Sequence, residues 1–310
     1  CRSVAVAATC EFVGSAAQWA VVSGSAFRGL VLVPVSTLVC PDSCGSSALS
    51  PGFLGRSPFE IYDFSRSMDP DPQQIAQTQD ALRTIFTEIT PRFGSFGEES
   101  YTLTFVDFGG GAMEGTHGFL CDVVYFGQGG ELGAVLTHEA FHHFIGVHCG
   151  DYDDPWWKES VASYLGIAVS TRLGLMEKTY VREKLLRVFR PDARESEYAL
   201  STPALRNDLY PRALGNLVYW KGAQVVMLMD LLVRQGSRNT ISVEDVMAHL
   251  VKRFEGGAFH RSDLVAQFRT TAGVDVSPLL KTYVDSTALI DSLMLVSTIN
   301  ALDTLGAFGL

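Results

Sequence analysis

Cys-X-X-Cys pairs are absent from this 310-residue chain, so a cysteine zinc site or a thioredoxin-like redox pair has no basis in it. Long apolar runs are lacking too: the longest, Gly29 to Val39, is too short to span a bilayer and contains Pro34. Positive charge is scarce. With 24 Lys and Arg against 34 Asp and Glu, the net charge of −10 repels phosphate backbones and argues against nucleic acid as a partner. Internal repeats and low-complexity tracts are missing as well. What is present is an ordinary globular composition, 47% hydrophobic and 19% charged, long enough for one large domain or two smaller ones.

The six cysteines are Cys1, Cys10, Cys40, Cys44, Cys121 and Cys149. Cys40 and Cys44 flank Pro41-Asp42-Ser43 and either close a small loop as a disulfide or stay as thiols. The first residue is Cys1 rather than Met, as in a processed or truncated product; a mature lipoprotein also begins with Cys. An extracytoplasmic or lipid-anchored location is therefore the expectation.

Residues 1–60 read as β-rich, with short runs at Phe12-Val13, Trp19 to Val22 and Leu30 to Val35 broken by Gly, Ser and Pro. Asp71-Pro72 followed by Ile75, Leu82, Ile85, Phe86 and Ile89 predicts an amphipathic helix opened by proline. Residues 101–107 alternate as a strand, Gly109-Gly110-Gly111 marks a bend, and Cys121 to Phe126 predicts another strand. Helices are expected at 131–147, 155–172, 177–189, 212–235, 243–254 and 278–285, with Ser242 and Asp245 as a capping box and Ser277-Pro278 as a helix start. Strands first and helices later point to an α+β fold.

The segment Thr137-His138-Glu139-Ala140-Phe141-His142 matches H-E-x-x-H. Residues four apart share a helix face, so both imidazoles reach one ion. Zinc lowers the pKa of water to roughly 7, within reach of a carboxylate base such as Glu139. Leu132, Val135, Leu136, Phe144 and Ile145 give the motif a helical, buried setting. Polar groups there need partners, which favours a metal over a chance match. A catalytic zinc also needs a third protein ligand and an open position. Pro155 can open a second helix with Glu159 in its first turns. Spacing alone leaves Glu159 with two readings, third ligand or a first-turn glutamate favoured by the helix dipole. His143 is turned about 100° from His142 and lies behind the ligands or at the surface. His148, His249 and His260 read as surface residues, and His117 as a candidate for lining the cleft.

Three separated segments resemble one family. His138-Glu139-Ala140-Phe141-His142 with Trp156-Trp157-Lys158-Glu159-Ser160-Val161-Ala162-Ser163-Tyr164 resembles the zinc site of the gluzincin aminopeptidases, the aminopeptidase N family and the glycyl aminopeptidases. The resemblance implies Glu159 as third ligand. Gly111-Ala112-Met113-Glu114-Gly115 resembles the exopeptidase motif G-A-M-E-N, which implies that this strand pairs with substrate and that Glu114 binds a free α-amino group. Without the resemblance, Glu114 reads as a solvated loop residue. Val218-Tyr219-Trp220-Lys221-Gly222-Ala223 is similar to the family's Tyr-x-Lys-Gly-Ala stretch, which implies that Tyr219 supports the oxyanion; otherwise it is a tyrosine packed at a helix start. The sequence departs from the family in the 16 residues between His142 and Glu159, in Ser160 where Gly is usual, and in Gly115 where Asn or His is usual.

The resemblance implies a thermolysin-like zinc peptidase domain: a small mixed sheet with active-site helices, then a helical subdomain. Expected boundaries are 1–60 for a β-rich remnant, 61–172 for the zinc-binding subdomain and 173–310 for the helical part. The expected cofactor is one Zn2+ per chain on His138, His142 and Glu159, with Glu139 and Tyr219 catalytic. Gly110, Gly111, Ala112, Met113 and Glu114 would bind a peptide with a free amino terminus. The alternatives are a zinc endopeptidase and a non-catalytic interaction domain on a peptidase fold.

Overall fold

The computed structural model of the chain describes residues 19–22, 31–34, 59–63, 72–94, 101–106, 112–115, 118–122, 125, 130–151, 153–154, 156–186, 198–202 and 217–309. The chain divides into two compact units, Cys1–Ser47 and Ala48–Leu310. In the first, β1 (Trp19–Val22) and β2 (Val31–Pro34) pair antiparallel, with Trp19 opposite Pro34. Phe12-Val13 and the Cys40/Cys44 loop lie outside the described residues.

The second unit opens with β3 (Phe59–Asp63), α1 (Pro72–Phe93), β4 (Tyr101–Val106), β5 (Ala112–Gly115) and β6 (Gly118–Asp122). The sheet order is β3-β4-β6-β5, with β5 antiparallel to β6 and the other pairs parallel. Pro72 begins α1, where its missing N–H leaves no helical bond unmade. Leu82, Ile85, Phe86, Ile89 and Phe93, spaced by three and four, form the buried stripe of α1. Every residue of β4 from Tyr101 to Phe105 is buried, as an inner strand with both faces covered requires. The Phe86 and Tyr101 rings meet edge-on at 4.8 Å, binding α1 to the sheet. The strand expected at Cys121 to Phe126 runs instead over Gly118–Asp122, because pairing of Thr102 through Val106 with Gly118 through Asp122 sets its limits.

Helices dominate the rest: α2 (Gly130–Phe144), α3 (Trp157–Arg172), α4 (Lys178–Leu185), a π-helical turn (Leu217–Gly222) continuing into α5 (Ala223–Gly236), α6 (Val243–Arg253), α7 (Arg261–Ala272), α8 (Ser277–Leu279) running into a second π turn (Leu280–Val284), and α9 (Ser292–Thr304). Two short strands, β7 (Cys149–Asp151) and β8 (Gly257–Phe259), pair in parallel and tie the α2–α3 connection to the later helices. The architecture is mixed α/β, rich in helix with small sheets. α6 starts on the expected box: the Ser242 hydroxyl accepts from the Asp245 amide and the Asp245 carboxylate accepts from the Ser242 amide. α7 and α9 were not expected. Only Leu264, Gln267, Phe268 and Ala272 of α7 are buried, too sparse a stripe to stand out from sequence. α3 is buried on almost every side from Trp157 to Thr171 and is the central helix of the unit.

Asp154, fully buried just before α3, accepts from the Trp156 indole at 3.0 Å and from Arg261 Nε at 2.9 Å. The Arg261 guanidinium, at the start of α7, also pairs with Asp285. Arg261→Met should therefore remove the guanidinium that pairs with a buried carboxylate. The expected loss is about 3 kcal/mol by urea unfolding, the scale of a buried pair broken from one side. Asp154→Asn added to Arg261→Met should recover part of that loss, because the buried negative charge is removed.

Candidate metal centre

α2 carries His138 and His142 one turn apart, with Glu139 next to His138, and α3 carries Glu159 in its first turn. The two helices pack side by side. Gly166 eases their close approach: a Cβ there would lie 3.1 Å from both the Ala134 carbonyl oxygen and His138 Cβ, tighter than an ordinary contact. As packed, His138 Nε2 and His142 Nε2 are 2.9 Å apart, and Glu159 Oε2 is 3.2 Å from His142 Nε2 and 3.4 Å from His138 Nε2. Ligands sharing a tetrahedral zinc stand about 3.3 Å apart, given bond lengths of about 2.0–2.1 Å. Of all described His, Cys, Asp and Glu side chains, these three form the group able to hold a metal ion.

The donor chemistry fits a cation. His142 Nδ1 is 3.2 Å from the Ile145 carbonyl, which can only accept, so Nδ1 carries the proton and Nε2 of the neutral ring offers a lone pair. Glu159 Oε2 is also a lone-pair donor, so a positive ion between them relieves the repulsion. Burial by itself would raise the Glu159 pKa. In the metal-free chain, protonated His142 and His138 rings outweigh it by charge and hydrogen bonds and hold the carboxyl far below the usual range; with neutral rings a bound cation takes over that role. Lys158 Nζ, 3.5 Å from Glu159 Oε1, supports the anion from outside. His142 and Glu159 are nearly sealed, whereas the His138 side chain keeps 15% of its exposure, so the centre opens to solvent on that side.

Two further expected residues lie beside this centre. Glu139 is buried, its Oε1 3.9 Å from His138 Nε2. Tyr219 rides on the Leu217–Gly222 π turn, its ring centroid 6.0 Å from that of His138. Ala112 lies on β5, which among the described residues is the last strand of its sheet and which packs against α2. Met113 and Glu114 are on β5 too; their side chains, with Gly110, Gly111 and His117, lie outside the described residues.

The peptidase family M1 domain model matches residues 99–283, which include all of these side chains. The chain belongs to peptidase family M1. Among solved structures, an aminopeptidase N family protein from Idiomarina loihiensis superposes with a TM-score of 0.64 at 17% identity, over 76% of this chain and 46% of that one. An M1 zinc metallopeptidase variant from Deinococcus radiodurans, bound to a Tyr-Ser-Ala substrate, gives 0.52 at 17% identity, over 74% and 49%. At such identities the likeness is one of fold, and the chain spans about half the length of these relatives. No curated protein sequence matches it.

Several residues of this M1 chain escaped the sequence reading. Ser163, one turn after Glu159, places its hydroxyl 3.4 Å from His138 Nδ1; its i+4 spacing from Glu159 was the available signal. The Ile145 carbonyl that orients His142 has no sequence signature. His143 is fully buried, its ring meeting Tyr101, Phe144 and His148 edge-on at 5.6, 5.0 and 4.5 Å, so it belongs to the core rather than the surface. His148 is likewise drawn inward, because the short α2–α3 connection folds back over α2. His249 and His260 are exposed, as expected. Cys121 and Cys149 are buried, and burial first, then the charges of Glu139 and Asp122, push Cys121 far up in pKa.

Lys221, in the same π turn as Tyr219, is buried and donates to the Ser286 carbonyl at 3.0 Å. Desolvation pulls its pKa down to about 8. The unfolded chain keeps that proton to about pH 10.4, so between pH 8 and 10 the unfolded state binds more protons and stability rises with pH. Below pH 8 the penalty of the buried ammonium is fully present. Relative to Lys221→Met, the native chain should gain up to about 3 kcal/mol between pH 7 and 10, read from paired urea titrations.

Proposed function

We propose that this chain is the catalytic part of a zinc-dependent peptidase, acting as an aminopeptidase on peptides with a free amino terminus. The observation that carries the reading is the convergence of His138 Nε2, His142 Nε2 and Glu159 Oε2 beside the buried Glu139 carboxylate. One zinc ion held there would supply a Lewis acid for the scissile carbonyl and an acidified water. Glu139 takes the proton of the attacking water and returns it to the leaving amine. Tyr219 donates its phenol proton in a hydrogen bond to the developing oxyanion. The backbone of Gly110, Gly111, Ala112 and Met113 runs alongside the peptide, which a terminal strand can accept as an additional strand. Glu114 pairs with the substrate's ammonium. This arrangement reads as thermolysin-like, with residues 61–172 supplying the zinc helices and 173–310 supplying Tyr219 and the supporting helices.

Two measurements on the purified chain test this. Metal analysis should return close to one zinc per chain. Activity on a panel of short peptides should fall at least 100-fold when their amino termini are acetylated, since acetylation removes the cation that Glu114 would bind. Equal rates on free and acetylated peptides would refute amine recognition and leave a zinc endopeptidase, the reading that Gly115 at the end of the motif also favours.

A further inference from the structure

Ser160 directly follows Glu159 on α3, and its side chain is fully buried. Buried hydroxyls on helices commonly bond the carbonyl one turn back, as Thr137 does to Gly133 and Thr171 to Ile167 in this chain. Ser160 does otherwise. Its hydroxyl leaves α3 and donates to the Val218 carbonyl at 2.8 Å, in the π turn that carries Tyr219. The turn is shaped to receive it: a Cβ on Gly222 would sit 1.8 Å from Ser160 Oγ and 2.6 Å from Ser160 Cβ. π turns arise where a helix admits an extra residue or an inserted group, and here the group beside the turn is this hydroxyl. Lys221 fastens the same turn to the Ser286 carbonyl. One residue of α3 thus faces the imidazole pair, and the next grips the peptide unit leading into Tyr219.

We propose that Ser160 is a positioning residue. It locks the Tyr219 turn to the helix bearing Glu159, so that the phenol is held at a set distance from the reacting carbonyl. Ser160 stands where the pattern that the zinc segment resembles has glycine. The proposal rests on Tyr219 acting as oxyanion donor.

The test is a double-mutant cycle on the full chain with an aminoacyl p-nitroanilide. Ser160→Ala should lower kcat about 10-fold while KM, zinc content and melting temperature stay near native. Tyr219→Phe should lower kcat about 100-fold. The double variant should fall no further than Tyr219→Phe alone, because a residue acting through the phenol has nothing to act on once it is gone. If Ser160→Ala costs the same factor in both backgrounds, or raises KM and leaves kcat unchanged, the proposal fails while the tyrosine reading stands. If Tyr219→Phe keeps native kcat, the tyrosine reading fails and takes the proposal with it. Should Ser160→Ala not fold, Ser160→Gly removes the same hydroxyl and enters the same cycle. The contact itself is read separately. Gly222→Ala should lower the melting temperature sharply in the native chain and much less beside Ser160→Gly; an equal effect in both would also overturn the proposal.

Discussion

Glu139→Gln is expected to lower kcat by about 10²–10⁴-fold while zinc stays bound at native stoichiometry, the range a positioned general base supplies. The substitution keeps the shape of the side chain and removes only its basicity. Glu139 is buried, with Oε1 3.9 Å from His138 Nε2, close to the ligands without joining the group of three. Its loss should therefore spare metal affinity. The variant should still bind substrate, so KM should change little and the deficit should sit in kcat. Metal analysis beside steady-state kinetics checks both halves. Native activity in a zinc-loaded Glu139→Gln chain would remove the proposed base, and zinc loss would instead make Glu139 part of the ligand set.

Glu159→Gln addresses the residue that sequence left with two readings. As a first-turn glutamate favoured by the helix dipole, its replacement would cost about 0.3–1 kcal/mol of stability and leave zinc untouched. As a ligand, the neutral amide gives up the anionic oxygen that stands 3.2 and 3.4 Å from the imidazole nitrogens. Partners behind the ligands typically cost 10–100-fold in metal affinity, so a direct ligand should cost more than about 100-fold. Competition against a chelator of known zinc affinity gives the number. A shift under 3-fold would return Glu159 to the dipole role and leave the centre one protein ligand short of a catalytic zinc site.

The two histidines were legible because four-residue spacing on one helix is a local property; nothing beyond α2 is needed to put them on the same face. The helix carrying Glu159 was legible from Pro155 and the apolar run after it, but the direction of its carboxylate was not. α7 escapes a pattern search because few of its residues are buried, and β6 begins three residues before its expected start because its pairing with β4 sets where it begins. His148 reads as a surface residue from its type alone, but the stretch after α2 brings its ring to 4.5 Å from that of His143. For His143 the helix angle leaves two places, behind the ligands or at the surface, and packing against Tyr101 of β4 decides for the interior.

Charge, composition and the absence of long apolar runs set the class of molecule, and the H-E-x-x-H register set which side chains face one way. Those properties depend on neighbours within a turn or two of helix, so the sequence determined them unaided. The tertiary structure decided which distant groups meet. Gly166 lets α3 close on α2, so that Glu159 arrives at the imidazoles; Arg261, 107 positions on, neutralises Asp154; and Ser160 crosses 58 positions to Val218. Such contacts follow from the angle and separation of packed helices. Those are set by the whole buried surface of the unit, not by any stretch of chain that can be read alone.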